Sequence, residues 1–352
     1  LATGSMFEMK SDKHGQIELK VEETIEAVME ILMQYLNLVL NKNNSELSNS
    51  VFRSLLNAFG RSVLKASGTR CVQYLMFLMC VREHRLAENF LRYLLARIAS
   101  RDVSVGERRA AAACMGGFLV RSRTIRQATC LFYLRQLVTF AQHYHRLHTK
   151  HQKMNCVSAQ DGSPHVVFYA VCQAIFYIFC NRHSVFVSQQ QENSDSVVDL
   201  RLEILIGSSL NPLRYIHPSV AEGIARSLLK LNVADCTKLL EYNGNFPSLF
   251  ANKINSRNSK KISQTPLERT LQEVLFFPFD PCPLKAAWTY ISPYYRTNAE
   301  LEKELSHKNH QMSPLYSHNP PSVISSPISE TSIPNFSPNP NFSPNPNFSP
   351  NP

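Results

Sequence analysis

Residues Val166 to Cys180 read VVFYAVCQAIFYIFC, an apolar run broken only by Gln173 and by the hydroxyls of Tyr169 and Tyr177. A bilayer span needs ~20 such residues, and strands usually stop short of ~10, so the run fits neither. A helix that is apolar on nearly every side must be covered on nearly every side. Ser163 can cap its start, and Pro164 suits the first helical position, where the missing N–H costs nothing. Asn181-Arg182-His183 offer a polar stop, with positive charge at the negative end of the helix dipole. The run therefore predicts a central buried helix in an all-helical body, with its neighbours packed around it.

The rest of the chain supplies those neighbours. Residues 1–16 show no period and read as a disordered lead-in. From Ile17 to Leu40, apolar residues recur at helical spacing (Ile25, Val28, Met29, Leu32, Leu36, Val39, Leu40), with Glu22, Glu23, Glu26 and Glu30 outward. Further helices are expected over Leu47–Ala66, Cys71–Val81, Leu86–Ala99, Glu107–Val120 and Thr124–Arg146. After the buried run come a weaker helix in Ser194–Leu210, a pair over Val220–Leu231 and Ala234–Tyr242, and a last one over Ala286–Tyr295. Gly116-Gly117 sits among apolar helical residues and reads as a packing notch. Phe276-Phe277-Pro278-Phe279-Asp280-Pro281-Cys282-Pro283-Leu284 cannot be helical, because its prolines remove donors and clash. Its phenylalanines demand burial, which predicts an extended strap lying on the helical body. Low glycine content and few alternating runs argue against a β-rich fold.

Helices of ~12–24 residues, at roughly 40 residues per pair, have the period of HEAT or armadillo-like arrays. The expected organisation is a helical-repeat domain over 17–297, a terminal helix in 298–310, and a low-complexity tail over 311–352. The tail is rich in Ser, Pro and Asn, ends in three copies of Asn-Phe-Ser-Pro-Asn-Pro, and reads as disordered.

The net charge of +10 is unevenly placed: residues 51–150 alone carry +13, and fifteen of their seventeen cations are arginine. The nine cysteines form no C-x-x-C pair and mostly lie in apolar stretches, as reduced buried thiols do. With no signal sequence in view, cytosol or nucleus is the expected compartment. The chain opens on Leu1 rather than Met, as a fragment would.

Four stretches carry a family resemblance. They are Arg108–Ser122 (RRAAAACMGGFLVRS), the Phe168-Tyr169-x-x-Cys172-Gln173-Ala174-x-Phe176-Tyr177 run continuing to Arg182-His183, Leu210-Asn211-Pro212-Leu213-Arg214 followed by Pro218-Ser219-Val220, and Phe276-Phe277-Pro278-Phe279-Asp280-Pro281-x-x-Leu284 followed by Ile291-x-Pro293-x-Tyr295. In order and spacing they resemble the RNA polymerase I-specific transcription initiation factors of the TIF-IA type, over about residues 20–297 and corresponding to the C-terminal half of that family. The resemblance implies a HEAT-repeat fold and a bridging role between polymerase I subunits and the promoter-bound core factor at ribosomal RNA genes. It implies a nuclear and nucleolar location, no small-molecule substrate and no membrane. The family's N-terminal half and its acidic loop are not among these residues.

His143, His145, His148 and His151, with Cys156, invite a metal, but zinc wants a closed ligand set and a polar helix end explains them as well. No P-loop, dinucleotide or nucleophile-elbow motif is present, so no catalytic residue and no cofactor is expected. Arg82, Arg85, Arg92, Arg97, Arg101, Arg108, Arg109, Arg121, Arg123 and Arg126 fall on successive helices and turns and could line one ridge. Such a ridge would steer an acidic protein partner; the alternative is weak, sequence-independent contact with nucleic-acid backbone. Tail serines followed by proline (Ser313, Ser326, Ser337, Ser343, Ser349) suit a proline-directed kinase, and phosphate there could turn the tail onto the arginine face.

Overall fold

In the computed structural model, residues 165–179 are all buried, so the apolar run is covered on every side. The model describes residues 8–66, 71–152, 165–187, 200–231, 234–243, 278–279, 285–301 and 303, excepting the side chains of 8–22, 149–152, 183–187 and 286. Among the described residues the elements are helices: α1 (Glu8–Asn41), α2 (Ser45–Ala58), α3 (Gln73–Arg82), α4 (His84–Ala99), α5 (Val105–Arg121), α6 (Gln127–Gln152) and α7 (Val166–Val187). Shorter ones follow: α8 (Leu202–Ile206), α9 (Pro212–Tyr215), α10 (Pro218–Lys230), α11 (Thr237–Tyr242) and α12 (Lys285–Ile291), the last running into a 3₁₀ turn at Ser292–Tyr294. Among the described residues the only β pairing is an isolated bridge between Ser122 and Tyr295.

Helix α7 is the axis. It packs most extensively on α5, then on α6 and α10, with α9 at its side. The α5–α7 seam is close because it is built from small residues. A Cβ on Gly116 would stand 3.2 Å from the Ala174 Cβ, and one on Gly117 would stand 3.1 Å from the Phe279 ring. The expected notch is therefore real, and a larger residue there would force the helices apart. At the other end of the array, α1 packs on α3 and α12 through Met29, Met33, Leu36, Val39 and Leu40.

Several boundaries depart from the sequence reading, each for a physical reason. Helix α7 runs through Asn181-Arg182-His183 to Val187 instead of stopping there. The Asn181 amide folds back onto the Tyr177 carbonyl at 2.8 Å. Arg182 is buried and donates to the Leu119 carbonyl (3.1 and 2.7 Å) and the Ser122 carbonyl (2.7 Å) at the end of α5. One guanidinium thus satisfies carbonyls that a helix end leaves without partners. Helix α1 begins at Glu8, within the stretch expected to be irregular. The single helix expected over 47–66 is α2 followed by a π-helical turn at Phe59–Val63. The Tyr93 hydroxyl lies where a Gly60 side chain would stand, and the widened turn makes room for it. Of the helix expected over 194–210, residues 194–199 lie outside the described residues and the described part holds α8. Ile25, Val28 and Leu32, read as core positions, are exposed. Of the strap, Pro278 and Phe279 are buried; Phe276, Phe277, Asp280 and Pro281 lie outside the described residues, as does the tail.

Candidate interaction surface

The family-pattern residues turn out to be fasteners. Phe168 stacks on Tyr144, with centroids 5.4 Å apart. The Tyr169 hydroxyl donates to the Leu210 carbonyl at 3.0 Å, and its ring stacks on Tyr215 at 4.4 Å. Burial pushes the Tyr169 phenol and the Cys172 thiol upward, so both stay protonated. The Gln173 side-chain oxygen accepts from the His217 backbone N–H at 2.7 Å, holding the start of α10. Asn211 adopts the left-handed region (φ 44°) and exchanges amide hydrogen bonds with Asn243, and Pro212 then opens α9. The Pro278 carbonyl accepts from Gln73. Phe279 lies among Tyr74, Phe77 and Phe118, with centroids 5.4–6.3 Å away, and its carbonyl accepts from the Tyr295 hydroxyl at 2.6 Å. These residues lock α7, α9 and the strap to the body.

Two histidines of α6, His145 and His148, meet packing partners, while His143 is exposed and the His151 side chain, like Cys156, lies outside the described residues. His145 Nδ1 meets the Ser208 hydroxyl at 3.0 Å. His148 packs its ring on His165 at 4.4 Å, and His165 Nδ1 meets the Tyr144 hydroxyl at 2.9 Å. Among the described residues no group of three or more metal-ligating side chains gathers.

The ten arginines do not make one ridge. Arg121 is 2% exposed; it lies over the Tyr295 ring and donates to the Arg296 carbonyl at 3.2 Å, so it is a staple and not a contact surface. Arg123 joins the same seam, reaching the Tyr295 carbonyl at 2.9 Å and the Glu300 carboxylate at 2.7 Å. Arg97 lies over Tyr93 and toward Glu107. Arg108 donates to the Ile98 carbonyl at 2.9 Å, and burial and Arg101 lower its pKa. Arg109 is half-buried; its Nε and Nη2 are shielded from solvent without an acceptor, and desolvation lowers its pKa. Arg85, Arg92, Arg101 and Arg126 are exposed. Arg85 and Arg92 stand two helical turns apart on α4 and so share a face.

The structure does bring Arg82 and Arg126 together. They line one cleft with His84, Thr124 and Tyr294, over a floor of Cys80, Val81, Ala87 and Ile125. The sequence reading counted the two arginines but missed the other three polar residues, which come from separate stretches of the chain. It also missed an apolar stripe on the outer face of α1 formed by Ile25, Val28, Ile31, Leu32, Tyr35 and Leu38. Those spacings of three and four residues were visible, but the side left bare was not.

Comparisons with known proteins bear on this frame. A family model described as RNA polymerase I specific transcription initiation factor RRN3 matches residues 5–303. A Mus musculus protein named RNA polymerase I-specific transcription initiation factor RRN3 is 27% identical over 84% of this chain and 46% of its own length. The Saccharomyces cerevisiae protein of the same name is 25% identical over 72% of this chain and 42% of its own length. The chain thus spans somewhat under half the length of these relatives. The crystal structure of RNA polymerase I transcription initiation factor Rrn3 matches with a TM-score of 0.65, at 19% identity, over 82% of this chain and 58% of that one, and shares its all-helical fold. By the family match over most of its length, the chain belongs to the RNA polymerase I-specific transcription initiation factor RRN3 family.

Proposed function

We propose that this chain is a non-enzymatic adaptor that engages RNA polymerase I and presents it to the promoter-bound core factor at ribosomal RNA genes, in the nucleus and nucleolus. The family match over residues 5–303 carries the reading. The relatives named above are RNA polymerase I-specific initiation factors by name. An adaptor needs a stiff frame with addressable faces, not an active site. The interlocked α5–α7 core is such a frame, and Arg85, Arg92, Arg101 and Arg126 are exposed on it, as contact with acidic partner surfaces requires.

Co-precipitation tests it. The chain should retain polymerase I subunits and core-factor subunits, and reversing Arg85, Arg92 and Arg101 to glutamate together should reduce retention ~10-fold or more. Retention by neither wild type nor variant would end the reading. The dense positive charge of residues 51–150 also keeps direct nucleic-acid binding as a second reading. Binding to duplex DNA at physiological salt that falls steeply as salt rises would favour it.

A further inference from the structure

We propose that the cleft between the start of α4, the turn before α6 and the 3₁₀ turn is a binding site for a peptide carrying phosphoserine or phosphothreonine. Its polar lining consists of Arg82, His84, Thr124, Arg126 and Tyr294, and among the described residues no carboxylate lines it. A phosphomonoester brings up to two negative charges and three acceptor oxygens, which such a set of donors suits.

Arg82 is held from behind by neutral partners. Its guanidinium donates to the Asn37 and Asn41 side-chain oxygens at 2.8 and 2.7 Å and lies 5.8 Å from the Tyr294 ring centre. These contacts fix the side chain without neutralising its charge, so little rotamer freedom remains to be lost on binding. His84 Nδ1 lies 3.5 Å from Glu88, while its Nε2 is shielded from solvent and has no hydrogen-bond partner. Of the neighbouring carboxylates, Glu83 turns to Arg85 at 4.0 Å, outside the cleft, while Glu88 meets the Nδ1 side of the lining residue His84 and leaves Nε2 without a partner. Helix α4 starts at His84 without a side-chain cap, and α6 starts just after Arg126. Both add partial positive charge from their first-turn amides. The floor of Val81, Ala87 and Ile125 offers an apolar seat for the residue beside the phosphate, as in a Ser-Pro pair.

The occupant is a phosphorylated Ser-Pro peptide, of which Ser313-Pro314 is an example in this sequence. Ser313-Pro314 follows Leu301 by twelve residues. The segment ending at Leu301 is fastened beside the cleft by the Arg123–Glu300 pair at 2.7 Å and by the Arg123 N–H on the Tyr294 carbonyl at 2.8 Å. The inference deepens the docking role above, since Arg82 and Arg126 belong to the same arginine set. It is read without polymerase, so the two can fail separately.

The test is fluorescence anisotropy of a labelled peptide spanning residues 308–318, phosphorylated at Ser313, added to the full chain. The phosphorylated peptide should bind ~10-fold or more tightly than its unphosphorylated twin. The Arg126→Glu chain should lose ~10-fold in affinity, with its helical circular dichroism unchanged. His84→Ala repeats the test with an expected loss of ~3-fold, should the charge reversal disturb folding. Equal affinity for the two peptides, or no loss in either variant, overturns the proposal. So does competition by inorganic phosphate at the same concentration as the phosphopeptide, which would mean that the cleft takes the ion and not the peptide.

Discussion

Helices α1 and α7 are both rich in apolar residues, yet the fold treats them in opposite ways. Helix α7 has no bare side over residues 165–179, while α1 keeps Ile31 65% exposed and Leu38 61% exposed. The six exposed large apolar residues from Ile25 to Leu38 span ~20 Å of helix and recur at spacings of one to three residues along it. Composition tells that a helix will bury something; only the neighbours decide how much of it. In α7, side-chain hydrogen bonds complete the cover, with Gln173, Tyr169 and Arg182 each reaching a backbone group of another element. Helix α1 instead meets α3, α12 and, more lightly, α2, and leaves that stripe exposed.

Mutation can break or sharpen this contrast. The largest effect is expected in α7. Phe176→Ala, at a site with no exposed surface, should cost ~3–5 kcal/mol through lost transfer energy and an unfilled cavity. That loss would show as a fall in the urea midpoint at unchanged slope. Next comes Arg182→Met, which strips the Leu119 and Ser122 carbonyls of their donor and should cost ~2–4 kcal/mol. A variant as stable as wild type would show that the guanidinium is not what closes the α5–α7 seam.

Gly116→Val drives two methyls toward Ala174 and should cost ~1–3 kcal/mol. Gly106→Ala, where a Cβ meets nothing within 4 Å, should instead stabilise by roughly 0.5 kcal/mol. Thermal unfolding of the pair separates crowding from helix propensity. The smallest effect belongs to α1: Ile31→Lys and Leu38→Lys should each shift stability by no more than ~0.5 kcal/mol. A loss there as large as that of Phe176→Ala, and growing with protein concentration, would mean that the stripe is covered in solution by self-association.

How much of this was legible beforehand follows from where the partners lie. The rod at Val166–Cys180 announces its burial because its own residues leave no polar side. Its end does not, because Asn181-Arg182-His183 looks like a stop until the acceptors on α5, some sixty residues earlier, come into view. The helix over 47–66 was visible, but not its π-helical turn, which answers to Tyr93 on another helix. The arginine set was visible as charge, and the family pattern as a string of letters. Nothing local distinguishes Arg121, turned onto Tyr295, from Arg126, turned to solvent beside His84. The histidine run looked like ligands because its spacing is helical, yet His145 meets Ser208, just past α8, and His148 meets His165, just before α7.

Phe279 sits against Tyr74, Phe77 and Phe118, and Gln73 grips the carbonyl just before it. Those aromatic rings leave the ribosome about 160 to 205 residues ahead of the residue that covers them. At ~5–20 residues per second, a nascent chain would carry an open, greasy socket for ~10–40 s. The order of synthesis therefore makes α3 and α5 clients for a chaperone until the strap arrives to shut them.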